Sequence, residues 1–244
     1  MIKNRTAQLL FYTVYCTLGL VGCVASLGIF DNINMIRWDF YVYFTNISNF
    51  LCLGVMVAAL IETVRKKEDS SVKALPILKF IGLLGILLTF LVFNLMLAGA
   101  EGREPQANWR IGSILFHVIL PIMYIADWFL FCERGRCKWS YPLLSALFPL
   151  GYAFFLLIQA IILGFDSSIL VPTGATPLIY PYFFVNLDTQ GPLGVLMWIV
   201  VLSAVFIAVG FGFFGLDKLG VGTAPDAEAS TVENPTLLDG TCNS

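Results

Sequence analysis

The sequence predicts an all-α fold: a polytopic integral membrane bundle of six transmembrane helices with both termini in the cytoplasm. Three observations lead there. Of the 244 residues, 58% are hydrophobic and only 12% charged, about half the charged share of a soluble domain. Mean hydropathy is +0.84, and the apolar residues gather into six long stretches. The lysines and arginines, finally, are divided unequally between alternate connections.

In chain order the spans fall at residues 8–30, 40–64, 75–99, 110–132, 141–164 and 192–215, each near the ~20 residues that cross a hydrocarbon core. The first follows Lys3 and Arg5 and has small residues near Ala25, as a signal peptide would. Its apolar run exceeds the about 7–15 residues of a signal core, so it reads as a retained helix. Under this count Lys3, Arg5, Arg65, Lys66, Lys67, Lys73, Lys79, Arg134, Arg136, Lys138 and Lys218 fall on one side. Only Arg37, Arg103 and Arg110 fall on the other. The richer side is expected to be cytoplasmic.

Residues 1–217 read as one membrane domain. Residues 218–244 are small, acidic and without periodicity, and predict a disordered cytoplasmic tail. The outer connection 165–191, which includes "YPYFFVNLD", lacks Lys and Arg and is rich in Pro and aromatics. Two readings stay open for it: a lid that dips into the bundle, or an aromatic anchor at the membrane surface.

Several classes drop out. Net charge is −2 with no basic block, so no nucleic-acid partner is expected. Three of the six cysteines lie in spans, and Cys132 and Cys137 flank a cytoplasmic turn, so no disulfide framework is expected. His117 is the single histidine. With one imidazole and a lone Cys-x4-Cys spacing, neither a metal site nor a cofactor is expected.

The polar residues inside the spans need an explanation. In "YVYFTNISNF", Thr45, Ser48 and Asn49 share one helix face. At about 1.5 Å per residue, Thr45 lies about 9 Å below Asp39, and His117 about 10 Å below Arg110. Asn94 and Gln159 reach the same depth, counted from Glu101 and Asp166. Polar side chains in hydrocarbon turn toward the bundle interior or a wet cavity. There they bond neighbouring helices, or they converge on a pocket, where a neutral histidine beside a hydroxyl is the minimal nucleophilic pair. Pro121 has no N–H and so leaves the carbonyl of His117, four residues earlier, without its helical partner. Asp127 lies about 15 Å beyond His117 along the axis, too far to orient the imidazole. Its expected role is structural, paired inside the membrane with Lys79.

Three stretches, "YFTNISN", "HVILPIMYIADW" and "YPYFFVNLD", resemble the androgen-induced membrane protein family, and the similarity extends over roughly residues 8–217. The resemblance implies a six-helix membrane hydrolase that cleaves fatty acid esters of hydroxy fatty acids. By motif it implies Thr45 as nucleophile and His117 as its partner, the two residues to which depth also points. In that reading Asn49, Ser48 or Asn94 donates to the oxyanion, and Gln159 is a further candidate for binding substrate. The expected partner is a membrane lipid or fatty acid ester, with oligomeric state open. The alternatives are an acyltransferase with the same Thr/His pair, and a non-enzymatic lipid-binding or small-solute transport protein. The last lacks the internal repeat and broken helices of many transporters.

The topology is directly testable. Reporter fusions at Lys67 and Gly135 should read cytoplasmic and one at Thr176 external. A cytoplasmic signal at Thr176 would overturn the span count.

Overall fold

The computed structural model describes residues 1–30, 37–99, 105–165 and 178–219. The tail beyond residue 219, part of the long outer connection, and the depth markers Glu101 and Asp166 lie outside the described residues. Six helices are long and apolar enough to cross a membrane: α1 (Arg5–Ser26), α2 (Phe44–Arg65), α3 (Pro76–Leu97), α4 (Ile111–Leu130), α5 (Tyr141–Gly164) and α6 (Leu187–Leu219).

Several boundaries differ from expectation, among them α1, which runs Arg5–Ser26 rather than 8–30; two have clear local reasons. Residues Trp38–Val42 form a 3-10 turn and Tyr43 is extended (φ −84°, ψ 127°), so α2 begins at Phe44 rather than 40. Thr45 therefore lies in the first turn of its helix, not several residues inside it. In α6, Gly191 takes φ 64° and ψ 169°, a conformation open to glycine but strained for a residue with a Cβ. Regular helix resumes at Pro192, whose fixed φ suits a first helical position.

The helix ends are tied down by side chains. Asn4 Oδ1 accepts from the Ala7 N–H at 2.8 Å and caps α1. Arg5 reaches across to the last turn of α2, where its guanidinium donates to the carbonyls of Thr63 and Val64 at 3.2 and 3.1 Å. The Cys137 N–H donates to Asp217 Oδ2 at 2.9 Å, and Lys218 Nζ donates to the Gly135 carbonyl at 2.9 Å. These bonds gather the N-terminus, the α2–α3 and α4–α5 connections and the end of α6 at one end of the bundle. The cation-rich segments share that end.

Helices α1 to α4 pack as a bundle, and α5 and α6 lie against the α3 side of it. Hydrocarbon supplies no hydrophobic drive between helices, and small residues let them approach closely. A Cβ on Gly22 would collide with the Phe116 ring, so glycine lets α4 lie directly on α1. Helix α6 is peripheral, with 17% of its apolar window buried against 44% for α3 and for α4.

Deep in the cation-rich half, Lys79 Nζ lies 2.7 Å from Asp127 Oδ2, and both side chains are almost fully buried. The Tyr124 hydroxyl donates to the Lys79 carbonyl at 3.2 Å. A buried pair has exchanged two hydration shells for one Coulombic contact, so removing one partner leaves the other stranded. Asp127→Leu or Lys79→Met alone should therefore cost about 3–5 kcal/mol of stability, and the double variant should be more stable than either single. Thermal melts in detergent check this, and a double variant as unstable as both losses added would contradict it.

Candidate functional site

The site grows from two irregularities in otherwise regular helices. The first is the start of α2. The amides of Phe44 and Thr45 precede the first intrahelical bonds, which run from Asn46 and Ile47 back to the Tyr43 carbonyl. The Asn46 side-chain amide donates to the Phe40 carbonyl and the Tyr152 hydroxyl to the Val42 carbonyl, so the 3-10 turn is pinned over the helix end. The positive end of the α2 dipole is thus presented at Thr45.

The second irregularity is in α4, where Leu115–Ile119 forms a π turn followed by Pro121. The Leu120 N–H bonds the carbonyl of Leu115, five residues back, rather than that of Phe116. Position 121 has no N–H to offer Phe116 or His117. Two successive carbonyls of this stretch accept from asparagines on flanking helices. Asn49 Nδ2, on α2, donates to the Phe116 carbonyl at 3.1 Å. Asn94 Nδ2, on α3, donates to the His117 carbonyl at 3.0 Å. Asn94 itself sits in a second π turn, Phe93–Leu97, facing the first.

Asn49 does more than cap. Its other amide hydrogen goes to the Thr45 carbonyl at 2.8 Å, so one side chain ties the first turn of α2 to the π turn of α4. Ser48 Oγ also donates to the Thr45 carbonyl at 3.1 Å and lies 2.8 Å from Thr89 Oγ1 on α3. The second hydrogen of Asn94 goes to the Phe90 carbonyl at 2.8 Å. Asn49, Asn94 and Ser48, expected as oxyanion donors, thus have their hydrogens engaged in bracing the backbone. Gln159 Nε2 donates to the Leu178 carbonyl at 3.2 Å and holds the outer connection against α5. Of the polar layer expected from depth, Thr45 and His117 face a common cavity, while Asn94 and Gln159 serve the backbone nearby.

That cavity, of about 560 Å³, lies between α1, α2 and α4 at the end opposite the cation-rich one. Its polar wall includes Arg37, Asp39, Arg110, Ser113 and His117, with Thr45 at its edge. His117 Nδ1 is 2.9 Å from the Ser113 carbonyl and 3.3 Å from Ser113 Oγ. A carbonyl only accepts, so the proton sits on Nδ1 and the in-plane lone pair on Nε2. The imidazole also stacks on Phe93, with ring centroids 3.5 Å apart and planes 14° apart. Ring plane and tautomer are therefore both set by neighbours.

A second, apolar slot of about 150 Å³ lies between α3, α5 and α6. Thr45, Phe93, Leu97 and Tyr182 line both spaces, so the threonine stands where the polar chamber meets the apolar slot. Tyr182 comes from the described part of the outer connection. Its phenol sits against the Thr45 side chain, the Phe44 N–H and the Tyr152 hydroxyl, and burial pushes its pKa up to about 12. Sequence reasoning did not single it out. The signal was there in the apolar, aromatic "YPYFFVNLD", which is unusual for a loop.

Comparison with protein-family models, curated proteins and solved structures finds no match to this chain.

The brace around Pro121 has its own test. Asn94→Ala strands the His117 carbonyl and should cost about 1–3 kcal/mol. Pro121→Ala supplies the missing N–H, so it should recover part of that loss in the Asn94→Ala background. A double variant whose melting temperature falls by the sum of the two single effects would contradict the assignment.

Proposed function

We propose that the protein is an intramembrane hydrolase of lipid esters, with Thr45 as nucleophile and His117 as general base. The observation that supports it most is the position of Thr45, at the junction of a polar chamber holding the imidazole and a slot lined by hydrocarbon. A lipid ester has that same division, with a polar carbonyl between apolar chains. The resemblance of "YFTNISN" and "HVILPIMYIADW" to the androgen-induced membrane protein family points to the same reading and to fatty acid esters of hydroxy fatty acids as substrates.

On this reading the reaction runs as follows. Thr45 Oγ1 attacks the ester carbonyl carbon while His117 Nε2 takes its proton. The Ser113 carbonyl holds Nδ1–H and steadies the imidazolium that forms. Negative charge collects on the former carbonyl oxygen. It is met by the positive end of α2, the Thr45 N–H and the Tyr182 phenol, which is protonated at neutral pH like any tyrosine. Collapse breaks the bond to the alcohol oxygen, which leaves with the proton from His117. Water from the polar chamber then attacks the acyl-threonine and passes a proton to Nε2. A second collapse frees the carboxylic acid and returns the proton to Thr45.

Thr45→Val and His117→Ala should each remove nearly all ester hydrolysis, and the double variant should be little worse, because groups acting as a unit are not additive. Thr45→Ser keeps the hydroxyl and should keep measurable activity. Tyr182→Phe should lower kcat about 10²–10³-fold if its O–H stabilises the oxyanion, the scale for a single donor. Hydrolysis of a fatty acid ester followed by release of free acid, with melts in detergent alongside, checks all five. Wild-type rates in a folded Thr45→Val would sink the proposal. Transfer to an added lipid alcohol in preference to water would identify the acyltransferase alternative.

A further inference from the structure

We infer that the apolar slot between α3, α5 and α6 is the binding site for the hydrocarbon tail of the acyl group, and that Phe206 is the floor that limits its length. The inference rests on the hydrolase reading for its chemistry and adds to it the direction in which the substrate lies. The acyl side enters the slot, and the alcohol side stays in the polar chamber.

The slot's lining is the first argument. Leu88, Val92, Met96, Leu150, Ile199 and Leu202 form its walls, with Thr45 at its head. Two of the polar groups on it are already engaged. Thr89 Oγ1 lies 2.8 Å from Ser48 Oγ, and the Tyr152 hydroxyl donates to the Val42 carbonyl at 2.7 Å. What the walls offer a guest is hydrocarbon, which favours a methylene chain over anything that needs hydrogen bonds. The polar chamber differs in kind, with Arg37, Asp39 and Arg110 on its wall, and it is the larger of the two.

The second argument is the packing of α6. Its inner half is fixed: a Cβ on Gly210 would lie 3.0 Å from Leu84 and 3.1 Å from Pro142, and Phe206 is buried with Phe80, Leu84 and Ala146. Toward the other end the same helix turns Leu193, Leu196 and Val200 outward, 57–79% exposed, while Trp198, Ile199 and Leu202 face the slot. Phe206 lines the slot at its inner end and Thr45 at its outer end. From Trp198 to Phe206 the slot runs about 12 Å along the helix axis. A chain seated there has its carbonyl end beside Thr45 and its methyl end against Phe206. Ser203 lies one turn before Phe206, so a large side chain at 203 would fill the inner part of the slot.

Two series of esters test the assignment on purified protein in detergent. One series varies the acyl chain on a fixed p-nitrophenyl leaving group, from acetate through octanoate to laurate. The other keeps an acetyl group and varies the alcohol from ethanol to dodecanol. Ser203→Phe should lower the laurate-to-acetate ratio of kcat/KM at least tenfold and leave the ratio within the alcohol series unchanged. Phe206→Ala should shift the optimum of the acyl series toward longer chains. Because each readout is a ratio, a variant that only folds poorly moves numerator and denominator together. A change confined to the alcohol series, or none in either, would overturn the inference. If wild type hydrolyses no ester, the hydrolase reading fails by itself, and a diazirine-bearing palmitic acid still tests the slot. Crosslinks on Leu88, Met96 or Leu202 that Ser203→Phe abolishes would uphold the hydrocarbon site, and crosslinks elsewhere on the bundle would refute it.

Discussion

The nitrogen of Pro121 has no hydrogen, and much of the site is arranged around that fact. A helix in hydrocarbon must satisfy every backbone carbonyl from within the protein. Pro121 has no N–H for the His117 carbonyl four residues back, and the π turn before it sends the Leu120 N–H to Leu115 rather than Phe116. Asn49 and Asn94 supply the missing hydrogens from α2 and α3. The defect thereby becomes a joint among three helices, and the residue at the joint is His117. A regular α4 would have offered these asparagines nothing to bind.

The joint divides the polar residues by task. Asn49, Ser48 and Asn94 spend their hydrogens on backbone, and the Thr45 carbonyl receives two of them. The Thr45 and His117 side chains line the chamber. The imidazole is held by Ser113 on one edge and Phe93 on one face. In the proposed hydrolase, such supports around the nucleophile and its base would supply the preorganisation that electrostatic catalysis requires. At the other end of the bundle the Lys79–Asp127 pair plays no part in this arrangement.

The sequence made the six spans plain because bilayer thickness imposes one length on every helix. It also showed that Pro121 has no N–H to offer the His117 carbonyl, since the loss of an N–H at proline does not depend on context. The start of α2 was harder to read. "DFYVYF" is apolar enough to extend the helix, and only the bonds from Asn46 and Tyr152 to the Phe40 and Val42 carbonyls select the 3-10 turn. That choice moved Thr45 to a helix end, in the first turn of α2. The roles of Asn49 and Asn94 were hidden for a related reason. An asparagine in a span announces a hydrogen bond, but whether it meets a substrate or a carbonyl depends on a π turn that composition does not reveal. Tyr182 was hidden because its neighbour in space, Thr45, is far away in sequence.

The account's central claim is that the Thr45 hydroxyl forms a covalent bond to an acyl group. Rapid-quench mass spectrometry measures that directly. Wild-type protein mixed with p-nitrophenyl octanoate and quenched in acid should yield a peptide containing Thr45 heavier by one octanoyl group. Its formation should keep pace with the release of nitrophenol, and it should be missing from Thr45→Val. Wild-type turnover with no adduct at Thr45, or with the adduct on another residue, would contradict the account.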